Sequence, residues 1–171
     1  MTVKIKEWPG TGLSTRAIED GQVLTVKYQP RAEYAWDAGV AISRYLEELQ
    51  EGRLIARQCT GCDRILIPPR MFCEQCFRPT DGWVYVQDTG TVNTFSICHV
   101  RWDVVRLTKP QLPAVIHIDG ASPGMGILHL LGEVSPEDIH IGLRVKAVWK
   151  EPRARQGAIT DIRYWKPLRE E

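Results

Sequence analysis

At 171 residues the chain suits one domain with a small appendage, and it is long enough to bury a core. Its 22 basic residues against 21 acidic ones leave a formal charge of +1, which argues against a generic nucleic-acid coat built on many phosphate contacts. A hydrophobic share of 43% with 25% charged residues excludes wholesale disorder, and no apolar run approaches the ~20 residues of a membrane helix. In chain order, Met1 to Pro9 has no apolar signal core, so a cytoplasmic protein is expected. Residues 1–21 read as an irregular arm, with Pro9-Gly10 and Gly10-Thr11-Gly12 and few apolar positions.

Gln22 to Gln29 alternates Val23, Thr25 and Lys27 against Leu24, Val26 and Tyr28, which predicts a short strand ended by Pro30. From Glu33 to Gln50 the period changes. Tyr34, Ala38, Ile42, Tyr45, Leu46 and Leu49 recur at i+3 and i+4, which predicts an amphipathic helix with Gly52 at its C-terminal cap.

Arg53 to Gln58 leads into Cys59-Thr60-Gly61-Cys62, and Ile65-Leu66-Ile67 then Pro68-Pro69-Arg70 leads to Cys73-Glu74-Gln75-Cys76. Pro-Pro fixes an extended approach. Each C-x2-C pair sits on a tight turn, and a short hairpin brings the two turns together. Four thiolates then make a closed tetrahedral site, which suits structural zinc through Cys59, Cys62, Cys73 and Cys76. Disulfides would need an oxidising compartment. A thioredoxin-like pair would need one C-x2-C at a helix start. An iron–sulfur cluster or rubredoxin-type iron uses the same ligands and stays as the lesser alternative. Cys98 is left over and reads as a small buried hydrophobe on a strand.

The remainder is strand-like: Gly82–Gln87, Gly90–His99, Leu112–Asp119, Met125–Glu133, Leu143–Lys150 and Ala158–Trp165. Ser135-Pro136-Glu137-Asp138-Ile139 predicts one short helical turn between the strands. Five or six strands with a single helical interruption is the pattern of an OB-type Greek-key barrel, with an open sandwich as the alternative. The expected fold class is therefore mainly β with an N-terminal helix, a rubredoxin-like zinc ribbon and then an OB-fold barrel. The expected domains are an arm with strand and docking helix (1–52), the ribbon (53–81) and the barrel (82–171).

No G-x-S-x-G, H-E-x-x-H or Walker loop is present. His99, His117, His129 and His140 show no ligand spacing, although His117 and His129 are candidates to face each other across a hairpin.

These pieces are familiar in combination. A helix ends at Glu51-Gly52-Arg53-Leu54, and two C-x2-C turns flank Pro68-Pro69-Arg70. Gly90-Thr91-Val92 opens a barrel, followed by Leu112-Pro113-Ala114, Ile141-Gly142-Leu143-Arg144-Val145 and a closing Trp165-Lys166-Pro167-Leu168. Over roughly residues 40–168 this resembles the zinc-ribbon/OB-fold family of acyl-CoA-associated proteins, once catalogued as a domain of unknown function. The sequence departs modestly: Asp63 stands where Gly is common and Glu74 where Pro is common, and neither removes a ligand.

The resemblance implies a non-catalytic accessory subunit of a thiolase-superfamily enzyme, forming a hetero-oligomer and sharing a CoA thioester with its partner. Members bind thiolases, related condensing enzymes, lipid-transfer-protein-like aldolases or hydratases. On that reading Tyr34, Trp36, Ile42, Tyr45 and Leu46 are candidate docking contacts; the family points to Arg70 for a CoA phosphate, and Arg101, Arg106 and Lys109 are candidates because guanidinium forks suit such phosphates. A solvated loop is the plainer reading of Arg101, Arg106 and Lys109. Two rivals stand beside it: a single-stranded nucleic-acid binder stacking bases on Phe95, Trp102, Trp149 and Trp165, and a hydratase-like enzyme subunit using the histidines.

Overall fold

The computed structural model of the chain describes residues 14–23, 26 and 28–168. The chain divides into two compact units, Met1–Trp36 and Asp37–Glu171. In the first, the short helix α1 (Thr15–Glu19) starts at Ser14, whose hydroxyl accepts the Ala17 N–H at 3.1 Å. The strand expected over Gln22–Gln29 is absent at the described positions Gln22, Val23, Val26, Tyr28 and Gln29, and Leu24, Thr25 and Lys27 lie outside the described residues. Alternation alone does not make a strand: Val26 and Tyr28 are exposed and, among the described residues, no partner edge pairs with them.

The second unit opens with α2 (Gly39–Gln50), six residues later than the periodicity predicts. Gly39 sits at φ +71°, a left-handed conformation that a right-handed helix cannot run through, and its N–H is taken by Asp37 Oδ1 at 2.9 Å. Tyr34 and Trp36 therefore fall upstream of the helix. Ala41, Tyr45, Glu48 and Leu49 form its buried face. The helix ends as expected at Gly52, φ +76°, where the Arg53 N–H returns to Glu48 O at 2.9 Å.

Strand β1 (Leu54–Cys59) follows, then β2 (Arg64–Leu66), β3 (Phe72–Cys73), β4 (Arg78–Pro79) and β5 (Gly82–Val86). Their three-stranded sheet runs β2-β1-β5, with Arg57 opposite both Leu66 and Trp83. Thus the strand at 82–86, grouped with the barrel by sequence, pairs with the ribbon. Helix α2 packs on β1, and Leu49, Leu54, Ile55, Leu66 and Ile67 are fully buried together.

The barrel consists of β6 (Thr89–Phe95), β9 (Pro113–Ile118), β10 (Gly126–Leu130), β11 (Arg144–Trp149) and β12 (Ile162–Pro167), and a hairpin of β7 (Cys98–Val100) and β8 (Arg106–Gln111) projects between β6 and β9. The sheet order is β10-β9-β6-β11-β12, and a parallel bridge from Leu131 to Trp165 joins its two ends. That order and closure are those of an OB-fold. Val92, Ala114, Ile116, Ile118, Ile127, Val145, Ala147, Ile162 and Trp165 fill the interior, at alternate positions along β9 and β11 and three apart on β12, where the β11–β12 register shifts. The turn predicted at Ser135–Ile139 is a single 3-10 turn, Pro136–Asp138.

The strand expected over Gly90–His99 is split, with β6 ending at Phe95 and β7 opening at Cys98, and the β7–β8 hairpin then runs through sequence expected as loop. Its second strand contains Lys109-Pro110 and lacks clean alternation, so the pattern hides it. His117 pairs with Gly126 and His129 with Ala114, so the two histidines do not face each other.

Candidate metal centre and its surroundings

Two turns build the centre. Cys62 N–H reaches back to Cys59 O at 3.3 Å, and Phe77 N–H to Cys73 O at 2.9 Å. The residues that follow the second cysteine of each pair, Asp63 and Phe77, both sit in the left-handed region, at φ +58° and +51°. This reversal aims both cysteines of a pair inward. It also explains why a glycine would be at ease at position 63.

The four sulfurs of Cys59, Cys62, Cys73 and Cys76 lie within 4.8 Å of one another, with Cys62 Sγ and Cys73 Sγ 3.7 Å apart. Zinc–thiolate bonds of ~2.3 Å in a tetrahedron require sulfur separations of about 3.8 Å. The donor set therefore fits a zinc ion in chemistry and in spacing. Cys59 and Cys73 are buried, Cys62 and Cys76 half-buried. Backbone N–H groups of Cys76 and Gln75 bring the Cys73 thiol down to about 7, whereas sharing a proton with Cys62, burial and Cys59 push Cys76 up to about 12. Four adjacent thiolates repel, and a divalent cation removes that conflict.

Polar contacts brace the turns from outside. Asp81 accepts from Thr60 N at 2.9 Å and Thr60 Oγ1 at 2.6 Å, which holds its carboxyl below the usual aspartate range, and Arg78 approaches at 3.0 Å. Arg64 bonds Glu74 at 2.6 Å across the two turns.

Deeper, the buried Arg57 donates to Thr80 Oγ1 at 3.0 Å and to Thr80 O, and Thr80 Oγ1 donates to Arg70 O at 2.6 Å. Arg57 and Arg44 also lie 4.5 and 4.6 Å from the Trp83 ring centre. Sequence reasoning missed this brace, since a single arginine inside an apolar strand was its only signal. In the chain's own sheet, Arg57 links the ribbon turns to the strand entering the barrel.

Family comparison agrees with this architecture. Residues 46–81 match the model for the ChsH2 rubredoxin-like zinc ribbon domain, and residues 83–150 match that for the ChsH2 C-terminal OB-fold domain. A "DUF35 domain-containing scaffold protein" of Methanocaldococcus jannaschii is 30% identical over 118 residues, 67% of this chain and 82% of the relative. The chain belongs to the DUF35 family.

Two solved structures share its fold. A DUF35-family protein of unknown function from Sulfolobus solfataricus has a TM-score of 0.55 at 21% identity, over 77% of this chain and 85% of that one. A chain of the Ltp2-ChsH2(DUF35) aldolase has a TM-score of 0.55 at 20% identity, over 79% of this chain and 98% of that one.

In this DUF35 chain the expected docking residues part company. Trp36 (83% exposed) and Tyr34 are open to solvent, and Ile42 is 36% exposed. Tyr45 is 4% exposed and Leu46 packs against the core, so both serve the chain's own interior. The reason is phase: once the helix begins at Gly39, the face holding Ala41, Tyr45 and Leu49 meets β1.

The expected phosphate contacts do not converge on one described pocket. Arg70 is exposed and 3.6 Å from Glu74, beside the metal turns. Arg101 is paired with Asp103 at the hairpin turn, and Arg106 and Lys109 stand exposed on β8. Cys98 is half-buried on β7, less enclosed than expected. Among the described residues no helix is long and apolar enough to cross a membrane.

Proposed function

We propose that the chain is a non-catalytic scaffold subunit of a thiolase-superfamily or aldolase-type enzyme acting on a CoA thioester, with its reacting groups on the partner. The observation that carries this is the tetrathiolate cluster. Four protein sulfurs fill a tetrahedral ion's coordination and leave no position for water or substrate, so the ion would hold shape and not act as a Lewis acid. A subunit built around such a centre contributes by pre-organisation, completing and orienting a pocket whose nucleophile another chain supplies. The name of the Methanocaldococcus jannaschii relative, a scaffold protein, supports the reading, as does the likeness to a chain of an aldolase described as Ltp2-ChsH2(DUF35).

Exposed Tyr34, Trp36 and Ile42 are then docking contacts, and Arg70, Arg106 and Lys109 are cations for CoA phosphates at the shared boundary. The test is native co-purification, with the captured enzyme identified by mass spectrometry, followed by assays of acyl-CoA cleavage and condensation with and without this chain. A stable complex with a condensing or aldol-type enzyme, more active than either part, is expected. Appreciable turnover by the purified chain alone would overturn the scaffold reading in favour of a hydratase-like subunit. A salt-sensitive gel shift with single-stranded DNA would favour the nucleic-acid reading.

A further inference from the structure

Two apolar depressions on the barrel share Pro113 and Leu128 and form one groove. The larger part, about 620 Å³, lies beside the seam between β10 and β12. These strands end the five-stranded sheet, and among the described residues their one bridge, Leu131 to Trp165, closes the seam at a single end. The second part, about 320 Å³, crosses the outer face of β6, β9 and β10. There Thr94 pairs with Val115 and Val115 with Leu128, so the three stand in a row facing outward, while Ala114, Ile116 and Ile127 fill the interior.

An outer sheet face turned to solvent ordinarily alternates to polar residues. This one carries Pro113, Val115, Leu128 and Leu130 instead, with Leu128 68% exposed. Such an unpartnered apolar strip marks an interaction site. Its charge is one-sided: Lys150 and Arg163 line the rim with His129, and among the described residues no carboxylate lines either part. Asp161 lies 3.7 Å from Lys150, but it is fully buried and its oxygens are occupied by the N–H groups of Gln156, Gly157 and Ala158.

We propose that this groove docks an acidic amphipathic segment of the partner enzyme, which lays apolar side chains on Pro113, Val115, Leu128 and Leu130 and sets a carboxylate against Lys150 and Arg163. The inference rests on the scaffold reading and assigns that role a second contact surface, separate from the metal turns. A nucleic-acid strand is the weaker occupant. It needs flat rings to stack on, and among the described residues the only aromatic ring lining the groove apart from His129 is the half-buried Phe95. A polypeptide supplies its own apolar anchors and needs only complementary charge for orientation.

The test has two arms using the full-length zinc-loaded chain. In the first, a displayed library of random 16-residue peptides is selected on it, and the consensus peptide is titrated by fluorescence anisotropy. We expect aliphatic anchors with Asp or Glu, and at least tenfold weaker binding to Leu128→Glu and to Arg163→Glu. Both substitutions are at exposed positions, and unchanged Tm and metal content confirm the fold. A consensus without acidic residues, or binding to both variants as tight as to the parent, overturns the proposal. So does displacement of the peptide by single-stranded oligo-dT, or self-association of the chain that Leu128→Glu abolishes. In the second arm the variants are titrated with the enzyme identified by co-purification, with the same tenfold loss expected. If that enzyme binds both variants as tightly as the parent, the groove assignment fails while the scaffold role stands. If no enzyme co-purifies, the scaffold role fails, and the peptide arm still decides the groove.

Discussion

Ile65 and Ser122 exchange two hydrogen bonds across the joint between ribbon and barrel. The Ile65 N–H donates to Ser122 Oγ at 2.8 Å, and the Ser122 N–H donates to Ile65 O at 3.0 Å. Ser122 lies in the turn between β9 and β10, whereas Ile65 is in β2, so the contact spans 57 positions of sequence. It fixes the metal turns to the barrel at a point that no covalent neighbour controls.

Ser122→Ala removes the acceptor of the Ile65 N–H and leaves the backbone half of the exchange in place. Losing one partly buried partner costs about 1–2 kcal/mol. A lower midpoint in urea is expected, with metal content unchanged. An unaltered midpoint would show that the hydroxyl half of the exchange does not hold the joint.

Metal removal has a larger effect, because the binding free energy of a structural zinc site is folding free energy, about 10 kcal/mol or more in isolated zinc modules. Cys73→Ser and Cys76→Ser should each lose the single bound equivalent in elemental analysis. The ribbon amides around β3 and β4 should then exchange with solvent while the amides of the closed barrel sheet, which holds Val92, Ile116, Val145 and Trp165 fully buried, stay protected. Full-length protein that retains metal after either substitution would contradict the tetrathiolate assignment.

Tyr45→Phe is expected to be neutral or stabilising. The Tyr45 hydroxyl is buried without a hydrogen-bond partner among the described residues, and burial pushes its pKa upward. Removing an unsatisfied buried hydroxyl relieves a cost of about 1–3 kcal/mol without creating a cavity beyond one oxygen. Thermal unfolding of the pair measures this. A marked destabilisation would mean that the hydroxyl is bonded after all.

Cys59, Cys62, Cys73 and Cys76 were legible because ligand spacing is local: two turns, each written in four consecutive residues. The barrel strands were legible because alternate burial on a closed sheet leaves a period of two, as in Pro113–Ile118. The helix start was not. The apolar period runs smoothly through Tyr34 and Ala38, and only the backbone at Gly39 breaks it. The β7–β8 hairpin was missed for a related reason, since exposed Trp102 and Val104 sit at a turn and no core selects an alternating pattern there. Leu128 and Arg163 of the groove come from strands adjacent only through barrel closure, which no sequence window contains. Asp161 was hidden inside a segment read as one continuous strand, Ala158–Trp165. In the structure a 3-10 turn precedes β12, and the aspartate turns inward there.

That aspartate makes stability pH-dependent. Asp161 is fully buried; burial works against its charge, but the N–H groups of Ala158, Gln156 and Gly157, and then Lys150, outweigh it and hold the carboxyl below its ordinary value of 3.8. A depressed folded-state value means that the unfolded chain binds the proton more readily. The stabilisation is therefore complete above the unfolded value near 3.8 and is lost as pH falls through the lower folded value. Asp161→Asn keeps the shape but turns an NH2 group toward backbone donors, which should cost about 1–3 kcal/mol at neutral pH. The turn it organises passes over α2, where a Cβ on Gly157 would come within 3.2 Å of Leu46 O, so the loss should loosen the helix as well. Unfolding midpoints of parent and variant between pH 7 and pH 3 are the measurement. The two should converge toward the acid end, and a constant gap across the range would assign the cost to packing instead of charge.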